Sequence, residues 1–169
     1  RVGTFEYARN FCSQEDLRTL TNYAIERHFP EIVGSDKPAH NLLKAVMAKQ
    51  IDLIVDWMRT GFIHGVMNTD NMSITGETID YGPCAFINSY APDTVFSSID
   101  TGGRYAFGNQ SRIAHWNLTA FANAILPVIS DDKEKAVDLA WEVLSEFPQK
   151  YFEKYYAVMF AKLGILKPE

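Results

Sequence analysis

Apolar positions follow a helical period over most of this chain. Ser13-Gln-Glu-Asp16 supplies an N-cap and early acids, and Leu17, Leu20, Ala24 and Ile25 then share one face. A helix is predicted from Ser13 to near His28, before Pro30. A second begins at Ser35-Asp-Lys-Pro38, with proline near its first turn. Leu42, Leu43, Val46, Met47, Ile51, Ile54, Val55 and Met58 keep its register as far as Gly61. Three further helices are predicted at about Ser111 to Val128, Asp131 to Phe147 and Pro148 to Leu163, the last closed by Gly164 as a C′ glycine. The tryptophans Trp57, Trp116 and Trp141 fall on helix faces and are expected in the core.

Two interruptions break this pattern. Met72-Ser-Ile-Thr75 and Thr78-Ile-Asp-Tyr81 alternate with period two around Gly76-Glu77, which suits a type II′ hairpin. From Gly82 to Asn109 the periodicity disappears. Phe86, Tyr90, Phe96, Tyr105 and Phe107 in that stretch predict an ordered loop laid on the core. The fold class is therefore mainly α with a small β-hairpin. With no repeat, linker or low-complexity segment, residues 1–169 read as a single unit.

Composition narrows the function. The chain has 169 residues, 47% of them hydrophobic, enough for one ordinary core. Its 16 basic and 21 acidic residues give net charge −5, which argues against a nucleic-acid-binding surface. Cys12 and Cys84 show no metal spacing and no disulfide framework, and Cys84 reads as a small buried residue. No run of about 18 or more apolar residues marks a membrane span, and no signal-peptide pattern is present.

The chemistry gathers between His64 and Gly82, in HGVMNTDNMSITGETIDYG. Asn71 precedes the first strand of the hairpin, Asp80 ends the second, and Asp70 stands at the mouth. Two carboxylates and an amide in that arrangement suit Mg²⁺, which takes oxygen ligands and keeps water and phosphate in its shell. The alternative is a surface hairpin whose Asp and Asn residues serve turns and caps. The order of parts favours the first reading. A helix, then His-Gly, an acid, an Asn, a hairpin and Asp-Tyr-Gly repeats the order of a protein-kinase catalytic loop and D-F-G segment. The match has one informative gap. Where a kinase keeps its catalytic Asp, this chain has Val66. Asp70 is the nearest acid, so the candidate base is relocated. His64 is read as structural, and the scattered His28, His40 and His115, which share no metal spacing, as structural or solvated. Glu6 is read as orienting Arg1 or as a surface residue. Arg104, Asn109, Gln110 and Arg112 gather at the end of the irregular loop and are read as anchoring it to the lobe, with substrate contact as the alternative.

These segments closely resemble the selenoprotein O family of kinase-like protein adenylyltransferases. The resemblance runs through RVGTFEY at 1–7, ERHFP at 26–30, GFIHGVMNTDNMSITGETIDYGPCAF at 61–86, VFSSID at 95–100, RYAFGNQ at 104–110, WNL at 116–118 and KLG at 162–164. Ser111 stands where the family often has Pro. The resemblance implies a protein-kinase-like C-terminal lobe. It implies Asp70 as proton acceptor, Asn71 and Asp80 as Mg²⁺ ligands (Mn²⁺ is an alternative), and Asp80 and Arg1 near the nucleotide. It implies transfer of AMP from ATP to Ser, Thr or Tyr hydroxyls of protein substrates, with neither nucleic acid nor membrane as partner. An atypical kinase and a non-catalytic pseudokinase are the alternatives. The family is bacterial or mitochondrial, which implies cytoplasm or mitochondrion. Because the chain opens at Arg1 within a family motif, a fragment is expected. Alone it is expected to bind ATP weakly and show little activity.

Overall fold

The computed structural model describes residues 1–165. Six helices dominate it: α1 (Val2–Phe11), α2 (Gln14–His28), α3 (Pro38–Thr60), α4 (Gln110–Ile129), α5 (Lys133–Ser145) and α6 (Phe147–Lys162). Two short strands, β1 (Phe62–Ile63) and β2 (Ala85–Phe86), pair antiparallel with Phe62 opposite Phe86 and Ile63 opposite Ala85. One core cluster draws side chains from all six helices, with Leu42, Val46 and Ile54 of α3 and Phe121 and Ile125 of α4 at its centre. None of the described helices is long and apolar enough to cross a membrane.

The capping signals of the sequence produce the helix ends. Ser13 Oγ accepts from the Asp16 amide at 3.1 Å, and the Asp16 carboxylate accepts from the Ser13 amide at 3.0 Å, a complete capping box. Pro38 opens α3 at its first position. Gly61 closes it at φ +75, a left-handed conformation that the turn into β1 requires. The amides of Gly164 and Ile165 bond back to Ala161 and Phe160 carbonyls, a Schellman closure of α6.

Helix α1 departs from the sequence reading, which placed no helix over those residues. Arg1 provides no side-chain cap. The element is held by packing instead: Val2, Phe5 and Ala8 are buried, and Phe5 meets Phe121 edge-to-face at 4.9 Å. Burying a phenylalanine contributes about 1.5–3 kcal/mol, against about 1 kcal/mol for a typical cap.

The predicted hairpin is corrected as well. Between Met72 and Tyr81 the pairing is reduced to one antiparallel bridge, Met72 to Thr78. The Gly76 amide bonds to Ser73 O, so the turn is Ser73–Gly76. Local polar groups take over the ladder's role. Ser73 Oγ and Thr75 Oγ1 lie 2.7 Å apart, Thr75 donates to Glu77 at 2.7 Å, and Gln50 donates to the Ser73 carbonyl.

Two expectations about aromatics also fail in part. Trp57 is buried, but Trp116 and Trp141 are 48% and 69% exposed. In the irregular loop only Phe107 is buried and Tyr105 packs on the core, while Phe86, Tyr90 and Phe96 are exposed. Hydrogen bonds order the loop instead. The Asp100 carboxylate accepts from the Arg104 and Tyr105 amides, both at 2.8 Å, and the Gly108 amide donates to Pro92 O at 2.7 Å.

Candidate functional site

The long helix α3 delivers the chain through Gly61 and β1 to His64. His64 is fully buried. Its Nδ1 accepts from the Val66 amide at 3.3 Å, which leaves Nε2 to donate to Ile79 O at 2.8 Å. Burial pushes the imidazole below its usual pKa, against the opposing pull of the Ile79 carbonyl and the Asp80 charge. A neutral ring holding two backbone groups is a strut, in keeping with the structural role read for it.

Gln110, buried at the start of α4, supports the same segment from the other side. Its carbonyl accepts from the His64 amide at 3.0 Å, and its amide donates to Phe62 O at 2.9 Å. Asn109 donates to Gly103 O at 2.8 Å. Asn109 thus ties the irregular loop, as the sequence suggested, whereas Gln110 braces the Phe62–His64 segment instead of the loop. Arg104 lies over the Trp116 ring at 4.7 Å, a cation–π contact that suits the half-exposed tryptophan.

Asp70 and Asn71 sit on a short 3₁₀ turn, Thr69–Asn71. Asn68 caps it: its side-chain oxygen accepts from the Asp70 and Asn71 amides, both at 3.1 Å. Asn71 is buried and its Nδ2 donates to Val66 O at 3.0 Å. With the nitrogen committed, the carbonyl oxygen is the atom left to bind a cation. Val66 thus contributes only its backbone to the site. Asp70 is exposed, and α1 packs against its turn through the Val2 amide, which donates to Met72 O at 2.9 Å. That contact brings the neighbourhood of Arg1 to Asp70.

Asp80 is exposed and is the one non-glycine residue with positive φ among those described, at +59. Asp tolerates this region better than most side chains do. The bond from His64 to Ile79 O holds the preceding residue, and Trp57 Nε1 donates to Thr78 Oγ1 at 2.9 Å. Asn71 and Asp80 are consequently secured on one short segment, His64–Val66, the first directly and the second through its neighbour. Gly65 makes the close approach possible. It adopts φ +86, and a Cβ there would strike the Pro83 carbonyl.

The donor set fits a hard divalent cation. Among the described residues no three His, Cys, Asp or Glu side chains are placed to hold a metal. An ion here would rest on the Asn71 carbonyl, the Asp80 carboxylate, and oxygens of water or phosphate. Asp70 and Asp80 face solvent while Asn71 is buried. Five cavities, of about 290–470 Å³, are lined by none of the three. Glu6 lines the largest of these, between α1 and α4, with Arg9, Asn10 and Trp116.

Sequence reasoning missed Asn68 and Asn117. Asn68 had a local signal, an Asn two residues before an acid at a turn. Asn117 donates to Met67 O at 2.9 Å across fifty residues of chain, a distance that leaves no local trace.

A family model described as protein adenylyltransferase SelO matches residues 1–169. The chain is 56% identical over 172 residues to a protein nucleotidyltransferase YdiU of Nitrosococcus oceani, covering 100% of this chain and 34% of that protein. It is 54% identical over 169 residues to proteins of the same name from Brevibacillus brevis and Syntrophotalea carbinolica, again covering 100% of this chain and 34% of each. The chain thus spans about a third of the length of the curated relatives it matches.

Proposed function

The chain belongs to the protein adenylyltransferase SelO family, and on that premise we propose that it forms the C-terminal, kinase-like lobe of a Mg²⁺-dependent enzyme that moves AMP from ATP to protein hydroxyls. The reading rests above all on one observation: the segment that His64 and Gln110 brace bonds Asn71 directly and holds Ile79, the neighbour of Asp80, while Asp70 stands beside Asn71 on the same capped turn. The helical unit supports the lobe assignment, since α3 leads into the site segment and the irregular loop and α4–α6 follow.

Each residue has a distinct task. Asp70, exposed on a capped turn, takes the proton of a Ser, Thr or Tyr hydroxyl as its oxygen attacks the α-phosphorus. The new O–P bond forms, the bond to the β-phosphate oxygen breaks, and pyrophosphate leaves. Asn71 and Asp80 would hold the cation, which would offset charge on the phosphates. Arg1 adds positive charge to the same phosphates. Positioning and charge stabilisation supply most of the catalysis in such transfers. Asp70 replaces the acid that Val66 cannot provide.

The test uses a full-length family protein carrying these residues, incubated with ATP labelled at either the α- or the γ-phosphate. Label on protein from the α position is expected, together with a loss of about 10²–10⁴-fold in Asp70→Ala. Label from the γ position alone would make the enzyme a kinase. Unchanged labelling by Asp80→Ala would remove Asp80 from the cation site, and no label from either position would leave a non-catalytic binding module.

A further inference from the structure

Gly3 has no conformational need to be glycine. It lies in the first turn of α1, outside the positive-φ residues. Glycine inside a helix is ordinarily less stable than alanine. Space is what the position requires. A Cβ on Gly3 would collide with Asp70 Oδ1 and lie 3.0 Å from Asp70 Cγ. The same Cβ would stand 3.4 Å from the Asp70 amide nitrogen, an ordinary contact. The conflict is therefore with the carboxylate and not with the backbone that carries it.

Neither backbone is placed to withdraw. Helix α1 is fixed by the Val2 amide on Met72 O and by Phe5 against Phe121. The Asp70 turn is fixed by the Asn68 cap on two successive amides. The exposed Asp70 side chain is the one part free to yield.

We propose that Gly3 is a positioning residue for Asp70: its missing side chain is the space in which the Asp70 carboxylate stands, so α1 sets the direction of the base. This rests on the reading of Asp70 as the proton acceptor. An added methyl would turn the carboxylate away while leaving the cation ligands Asn71 and Asp80 in place.

The experiment compares wild type, G3A, D70A and G3A/D70A in a full-length family protein carrying these residues. It measures kcat, KM for ATP, and Tm. For G3A the expected result is a fall in kcat of about 10- to 100-fold, the scale of a misplaced reacting group. KM for ATP should hold and Tm should not drop. In the D70A background G3A should bring no further loss, since no carboxylate remains to displace. A normal kcat in G3A overturns the proposal. So does a fall in Tm with a rise in KM, which would mark a structural effect, and so does an equal loss in the D70A background. The kcat, KM and Tm of G3A decide the matter even if D70A activity is too low to compare. The D70A arm reads the premise separately: full activity there removes the base role itself, whereas a damaged D70A beside a normal G3A removes only the role of Gly3.

Discussion

Single buried amides carry much of the site's precision. Gln110 satisfies the His64 amide and the Phe62 carbonyl at once, and both are buried with it. Truncating it leaves two backbone groups without partners, and an unsatisfied buried group costs about 1–3 kcal/mol. Gln110→Ala should lower unfolding stability by at least that amount in urea melts. Asp80 presents the opposite case, a residue whose backbone and carboxylate can be separated. Its φ of +59 is tolerated by Asn as well as by Asp. Asp80→Asn is therefore expected to fold with an unchanged Tm, yet to lose cation-dependent transfer. A large drop in Tm would show that the charge is structural.

At the scale of elements, junctions decide more than helix interiors. Gly65 joins the His64 strut to the Asp80–Pro83 stretch, at φ +86 with the Pro83 carbonyl where a Cβ would stand. Gly65→Ala faces about 1–2 kcal/mol for the left-handed backbone and a backbone clash besides. It should destabilise the fold by more than Ser13→Ala, which removes a cap worth about 0.5–2 kcal/mol. Thermal melts of the two variants give the comparison. The elements that were legible in the sequence are those with such local signals. Ser13 with Asp16, Pro38, Gly61 and Gly164 marked ends that the structure keeps within a residue or two. Asp70, Asn71 and Asp80 were legible as residue types in a familiar order. Helix α1 was not, because packing on α4 rather than a cap sustains it. The Met72–Tyr81 hairpin was over-read: alternation predicted a ladder, but Ser73, Thr75 and Glu77 bond among themselves. Gly3 against Asp70 and Gln110 against His64 are contacts across 67 and 46 residues, which no window on the sequence contains.

For the molecule as a whole, the burial of two histidines sets how stability responds to acid. His40 is buried with no partner for Nε2 among the described residues, and burial, reinforced by the charge of Lys44, holds its pKa below the usual value. His64 is held below it by burial as well. In the unfolded chain both titrate near about 6.5. As pH falls through that value the unfolded state takes up protons that the folded state still refuses. Stability is then full above about pH 6.5 and declines as pH falls below it, because the unfolded state binds more protons in that window. Tyr151 closes the alkaline side. Burial pushes its phenol up to about 12, so the unfolded chain ionises first as pH rises past about 10 and stability falls again. Urea midpoints should form a plateau between these limits, with an acid limb that begins near pH 6.5 rather than in the carboxylate range. His40→Leu should flatten that limb by removing one of its two titrating groups. An acid limb of undiminished slope in His40→Leu, or one that begins only below about pH 5, would assign the loss to carboxylates such as Asp16 and Glu146, whose pKa values Ser13 and Lys150 draw down.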